Sequence, residues 1–261
     1  MRPFLLLVLT VLTTPLFATY TARDLYVPVA GRITAADGRE FLTTVSLTNP
    51  AIEATGVTIS FLKAGQPNPA PRQQKLRLDG NESREIALEE QFLGALRIEA
   101  DRDVLAEARV YSRANGAGFN AIPAAFAIGT GESAIVQGAA AERYRIYAVE
   151  TVGHPLYVTA TLLDEDGRGV AQKRIFLGPR EQRTFELAEL FPQKRGSAIR
   201  LTGFNGSGKI IATGAQVATE SRDTTPFEMS FPTAPRHRVK KTEAAAYAAV
   251  ALAIVIAAVR R

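Results

Sequence analysis

Few runs in this 261-residue chain bring together residue types capable of chemistry. Gly203–Lys209 reads GFNGSGK and fits the G-x-x-x-x-G-K spacing of a phosphate-cradling loop. Such a loop needs Ser or Thr next, to hold magnesium, and a helix whose N-terminal amides face the phosphates. Here Ile210 follows, and Ile210-Ile211-Ala212 reads as a strand, so the run is expected to be a hairpin turn. Asp164-Glu165-Asp166-Gly167 sets three carboxylates before a glycine. A calcium loop wants alternating oxygen ligands and a distal bidentate Glu. The segment is too short for that and lies between two strand-like runs, which makes it a polar β-turn, with a weak surface calcium site as the alternative.

Acid–base and nucleophilic chemistry have little to draw on. The chain has no Cys and only two His, His154 and His237. That excludes disulfide scaffolds, thiolate metal sites and Cys nucleophiles. His154 falls in Val152-Gly153-His154-Pro155, a loop between strands, and no G-x-S-x-G accompanies it. Glu82 and Glu181 recur at equivalent places, as do Arg84 and Arg183. Two carboxylates can share acid–base work, but each lies at a turn entering its own strand, and pairing with the neighbouring Arg across strands is expected. Tyr111, Tyr144, Tyr147 and Tyr157 suit either a ligand surface or the core, and aromatics on strands favour the core. Asn81-Glu82-Ser83 and Asn205-Gly206-Ser207 are glycosylation sequons, which matter only in a eukaryote. No catalytic residue, cofactor site or metal site is assigned, and no cofactor is expected.

The elements that must carry these residues are strands. Val57, Ile59 and Phe61 share one face, with Thr58 and Ser60 on the other; Leu96 and Ile98 alternate with Arg97 and Glu99. Period two over a short run is the mark of a half-buried strand. Turn signals at Asn49-Pro50, Asp79-Gly80-Asn81, Asp166-Gly167, Gly178-Pro179 and Asn205-Gly206 separate the runs. The pattern also repeats. At an offset of 99, Leu78, Glu82, Arg84, Leu88 and Phe92 fall on Leu177, Glu181, Arg183, Leu187 and Phe191. GVTISFL at Gly56–Leu62 matches YVTATLL at Tyr157–Leu163, and GALRIEA at Gly94–Ala100 matches SAIRLTG at Ser197–Gly203. About seven short strands per copy, with no strong amphipathic helix, describe an all-β protein of two tandem immunoglobulin-like antiparallel sandwiches, over 24–130 and 131–232. Ala124–Glu132 is the expected join, and Leu88–Phe92 and Leu187–Phe191 each suit one helical turn.

The run YVPVAGR, FLTTVSLTNP, VTISFLKAG, LRLDGNESREI and GALRIEADRDVLAEARVYSR, from Tyr26 to about Pro123, resembles an immunoglobulin-like β-sandwich module of exported bacterial surface proteins of uncharacterised role. The second copy lacks the Val-Pro-Val and Thr-Asn-Pro elements. The resemblance implies a fold and an address, and no functional residue is carried over from it.

The two ends are hydrophobic. Arg2, the apolar run Phe4–Leu12 and Pro15-Leu16-Phe17-Ala18 have the three-part form of a secretory signal peptide over 1–18. Residues 233–243 read as a basic stalk, and Ala244–Val259 is a 16-residue uncharged run, nine of them Ala. As a helix it covers about 24 Å against a hydrocarbon core of about 30 Å. It spans a membrane if its flanks sit at the interface; otherwise it lies as an Ala-rich helix on the protein or on a membrane surface. Arg236, Arg238, Lys240, Lys241, Arg260 and Arg261 flank it. The arrangement resembles bacterial C-terminal sorting tails but has no LPxTG, Gly-Gly or Pro-Glu-Pro element.

Charge agrees with this division. The formal net charge is +5, yet residues 19–235 hold 24 Lys/Arg against 25 Asp/Glu. The excess is in the ends, so the body has no basic stripe for a nucleic-acid backbone. The expectation is a non-catalytic exported protein, anchored on the extracytoplasmic face of a membrane, acting as an adhesion, binding or scaffold module. Its expected partners are membrane lipid through the C-terminal helix and another surface protein or polysaccharide. A periplasmic assembly chaperone working through a strand edge is the alternative, and a polysaccharide hydrolase is the enzymatic one.

Overall fold

The computed structural model describes residues 20–34, 40–88, 91–111, 116–140, 143–217 and 224–231. The signal-peptide segment 1–18, the stalk 233–243, the hydrophobic segment 244–259 and the flanking Arg236, Arg238, Lys240, Lys241, Arg260 and Arg261 lie outside the described residues.

The protein is almost all antiparallel β. The strands are β1 Ala22–Thr34, β2 Glu40–Thr48, β3 Thr55–Lys63, β4 Arg72–Leu78, β5 Ser83–Ala87, β6 Phe92–Tyr111, β7 Gly116–Asn120 and β8 Ile122–Pro123. They continue with β9 Ser133–Gln137, β10 Tyr144–Glu150, β11 Leu156–Leu163, β12 Gly169–Leu177, β13 Gln182–Glu186, β14 Ala198–Gly206, β15 Ile210–Val217 and β16 Thr224–Ser230. A 3₁₀ turn at Ala124–Phe126 lies in the expected join, and one helical turn, α1 Leu187–Leu190, stands where Leu187–Phe191 suggests it.

Two curled eight-stranded sheets result, one from each half of the sequence. The first runs β4-β3-β6-β1-β2-β5, with β7 on β6 and β8 on β1. The second runs β12-β11-β14-β9-β16-β15-β10-β13. Their pairings correspond. β3 sits between β4 and the first part of β6, as β11 sits between β12 and β14. β2 lies between β5 and the last part of β6, as β10 lies between β13 and β15. β7 and β8 together reach from β6 to β1, as β16 alone reaches from β15 to β9.

The same chain path is made differently at one corner. In the first half, 20-residue β6 crosses both parts of its sheet as one strand, with a register shift opposite Ala22 and Asp24. In the second half the path breaks into β14 and β15 at Ser207–Lys209. GFNGSGK is therefore not a hairpin turn: β14 and β15 do not pair, and the run carries the chain from one part of the curled sheet to the other.

Each sheet closes on its own core. Val45, Leu47, Val57, Ile59, Leu96 and Ile98 belong to the first. Tyr144, Ile146, Val158, Leu162, Leu201 and Ile210 belong to the second. These are the alternating positions of the sequence pattern, buried because one face of a pleated strand points inward. At about 25 cal/mol per Å² of apolar surface removed from water, such burial supplies the main stabilising contribution in a chain with no disulfide.

Candidate functional site

A second set of buried residues joins the two sheets. Tyr26, Leu62, Ala95, Ile122, Val149 and Ile211 form one cluster, in which Tyr26, Leu62, Val149 and Ile211 have no exposed surface. Val29, Ala117, Phe119 and Ala215 form a smaller one beside it. The local reason is that β1, β10 and β15 are covered on both faces. In β1 the even-numbered Tyr26 faces the other sheet, while Leu25 and Val27 face their own core. In β10, Val149 does the same opposite Ile146 and Ala148.

Polar contacts fix the contact between the halves. The Tyr26 hydroxyl donates to Thr151 O at 2.6 Å. Burial raises the Tyr26 phenol well above its ordinary pKa, so it stays a neutral donor. Gly65 N donates to Gln182 O at 2.8 Å, and Asn68 N to Pro179 O at 3.0 Å. The Asn68 Nδ2 group donates to Arg180 O at 2.9 Å, and that of Asn120 to Glu228 Oε1 at 2.8 Å.

Beside the buried contact is an open cleft of about 370 Å³ with walls from both sheets. Val29, Ile33, Leu93, Val110, Ala117 and Phe119 make the apolar wall. Arg145, Tyr147, Thr184 and Glu186 make the polar one. Arg145 Nε donates to Glu186 Oε1 across the β10–β13 pair, where the two residues stand directly opposite. Tyr147 stands edge-on to Phe119, with ring centroids 6.2 Å apart. Burial raises the Tyr147 phenol, against the opposite pull of Arg145. The cleft offers an apolar floor, a neutral hydroxyl and an internally compensated ion pair. That suits an apolar side chain or an extended segment, and among the described residues that line it no nucleophile has an adjacent base.

One buried carboxylate invites a catalytic reading. Glu150 is fully buried at the end of β10. Its Oε1 accepts from Val152 N at 2.9 Å and Lys209 N at 3.2 Å, and its Oε2 from Gly153 N and Arg180 N, both at 2.8 Å. All four in-plane acceptor positions are occupied by backbone amides. The carboxylate ties three loops together and has none left for a substrate proton.

The residues singled out by sequence do not converge. Asp164 Oδ1 accepts from Asp166 N and Arg168 N, and Gly167 takes φ +77°. This is the expected polar turn, joining β11 to β12. Gly203, Gly206 and Gly208 are explained by chain crossing, not by phosphate. A Cβ on Gly203 would lie 2.2 Å from Gly129 O, and one on Gly208 2.3 Å from His154 O. Glu82 and Glu181 each hold their own turn: Glu82 Oε2 accepts from Asp79 N and Glu181 Oε2 from Gly178 N, both at 2.7 Å. Glu82 pairs with Arg84, and Glu181 reaches Arg183 at 3.7 Å. Both pairs run along the chain between residues two apart, not across strands as expected, because each Glu turns back to cap its hairpin. Tyr144 is in the core, Tyr147 lines the cleft, Tyr157 is 44% exposed, and Tyr111 lies near Thr44 with its hydroxyl at 3.3 Å. Among the described residues no group of three His, Asp or Glu could hold a metal ion, and no helix is long and apolar enough to cross a membrane.

The contact between the halves and the cleft are what sequence reasoning missed. The available signal was a break in alternation: Leu25–Ala30 and Ile210-Ile211-Ala212 are continuously apolar, as strands covered on both faces are. In comparisons with protein-family models, with curated proteins and with solved structures, nothing matches this chain.

Proposed function

We propose that this chain is a non-catalytic, exported binding or scaffold protein. In this reading it is held on the extracytoplasmic face of a membrane by its C-terminal hydrophobic segment. Two immunoglobulin-like sandwiches, over 24–130 and 131–232, act as one rigid unit. The observation that carries this is the pairing of a fully buried contact with an open cleft drawn from both halves. A rigid two-part body that keeps an apolar cleft open is suited to holding a partner in fixed geometry. The export signal and the flanked hydrophobic run supply the address. Lipid contacts the tail, and a surface protein or polysaccharide is the partner of the body.

The test is fractionation of cells expressing the full chain or a copy ending at Pro235, with protease added from outside. The full chain is expected with the membrane and its body accessible, the shorter copy soluble in the exported fraction. Both copies soluble in that fraction would remove the anchor, and both in the cytosol would remove the whole address.

A second reading, an assembly chaperone that works through a strand edge, has one observation in its favour. Among the described residues β5 pairs only with β2, and a cavity of about 330 Å³ lies between β5 and β4, reaching Phe61 and Leu88. An added strand would fit beside β5 there. Arg72, Lys75 and Arg77 on β4 oppose it, since charged edges discourage strand addition. Soluble exported copies that co-purify with a subunit paired to β5 would favour the chaperone.

A further inference from the structure

The outer face of the second sheet carries a patch that the fold does not require. Tyr157 on β11, Phe176 on β12 and Phe204 on β14 are 44%, 40% and 38% exposed. Tyr157 stands opposite Phe176 in the register, with ring centroids 4.9 Å apart, and lies 5.9 Å from Phe204. The Arg174 guanidinium sits 5.0 Å from the Phe204 ring centre. The next row of the ladder is polar: Arg174, Thr159 and Thr202 stand side by side, with Ser133 beyond, its hydroxyl 2.7 Å from that of Thr202. Arg200 faces out in the row after that, opposite Thr161.

Two facts give this face a direction. Strands β9, β11, β12 and β14 contain Lys173, Arg174 and Arg200 but no Asp or Glu. The first sheet, whose β3–β4 pair corresponds to β11–β12, has Gly56 opposite Arg77 where the second has Tyr157 opposite Phe176. Its strand path also contains Asp101, which accepts from Gly56 N at 3.2 Å. The same architecture therefore forms without the aromatics and with an acid in their place. The exposed ring cluster is particular to the second sheet, and Arg174 and Arg200 stand beside it on strands that contain no Asp or Glu.

Resting on the reading of this protein as a displayed binding module, we infer that this face docks an acidic polysaccharide. The C–H faces of the sugar rings lie on Tyr157, Phe176 and Phe204, whose π faces are negative. Uronate carboxylates meet Arg174 and Arg200, and sugar hydroxyls meet Thr159 and Thr202. Bases of a single strand would stack on the same exposed rings, so an oligodeoxynucleotide probe separates that occupant from the polyuronate.

Detergent-solubilised full-length protein tests this with polygalacturonate, alginate, neutral dextran and a single-stranded oligodeoxynucleotide as probes. The two polyuronates are expected to bind at least about tenfold more tightly than dextran, with affinity falling as salt is raised. Tyr157→Ala and Arg174→Gln are each expected to weaken binding about tenfold, while Tyr157→Phe keeps it. Unchanged thermal unfolding of the variants shows that the fold is intact. Equal binding of dextran, binding of the oligonucleotide alone, a self-association abolished by Tyr157→Ala, or no binding at all would each overturn the inference. Membrane display without polyuronate binding defeats this inference and leaves the display reading intact. Polyuronate binding by a cytosolic protein does the reverse.

Discussion

The side chain of Glu150, at the end of β10, is fully buried. Four backbone amides from three loops converge on its buried carboxylate. Glu150→Ala leaves those donors without partners, and Glu150→Gln turns an amide N–H₂ toward two of them. Either change is expected to destabilise the fold by on the order of 3 kcal/mol, read as a shift in the urea midpoint. A Gln variant as stable as the wild type would show that shape, not acceptor count, orders the loops. Glu82 is a milder case with a pH signature. The Asp79 amide and then the Arg84 side chain hold its carboxyl below the ordinary 4.5. Its contribution is therefore present above about 4.5 and is lost as pH falls through the lowered folded value. Glu82→Gln is expected to lower Tm slightly at pH 7, and by less at a pH below the lowered folded value, where the wild-type carboxyl is protonated too. A gap of equal size at both pH values would contradict that assignment.

Between elements, one short loop joins the sheets. Residues Ala64–Asn68 leave β3 and lie against the β12–β13 turn and the start of β13, where Ala64 forms a parallel bridge to Gln182. This covers part of an edge that would otherwise be open. Asn68 organises the loop: its Oδ1 accepts from Lys63 N, and its Nδ2 serves Lys63 O, Gln66 O and Arg180 O. Asn68→Ala is expected to cost about 2 kcal/mol and to speed amide exchange at Gly65, which donates to Gln182 O. Unchanged exchange there would mean that the loop holds its place without the side chain. At this scale the sequence was legible in part. The alternation at Val57, Ile59 and Phe61 and the repeat Gly56–Leu62 against Tyr157–Leu163 locate β3 and β11. The unbroken run of β6 was not legible, because Asp101-Arg102-Asp103 reads like a turn when its partner strands are unknown.

For the molecule as a whole, the buried contact makes the two halves depend on each other. Tyr26, Leu62, Val149 and Ile211 have no exposed surface, and separating the halves would return that apolar area to water. Wild-type protein is therefore expected to unfold in one calorimetric transition. Leu62→Arg, which places a charge in the centre of the contact, is expected to split it into two at lower temperature. Two transitions in the wild type would show that the halves melt independently and that the cleft has no fixed shape.

The sequence by itself determined the strand class, the duplicated pattern of blocks and the inward-facing residues of each core. All of these follow from local periodicity, which one chain segment carries alone. It also marked Asp164–Gly167 as a polar turn, which the structure places between β11 and β12. Tertiary structure decided which second faces are covered, that Glu150 binds loops from distant positions, and that Tyr147 and Phe119 meet across a cleft. It also decided that Tyr157, Phe176 and Phe204 share one exposed patch. These depend on strand register and on the docking of one sheet against the other. Register and docking bring residues tens of positions apart into contact, and period two, being local, carries no record of it.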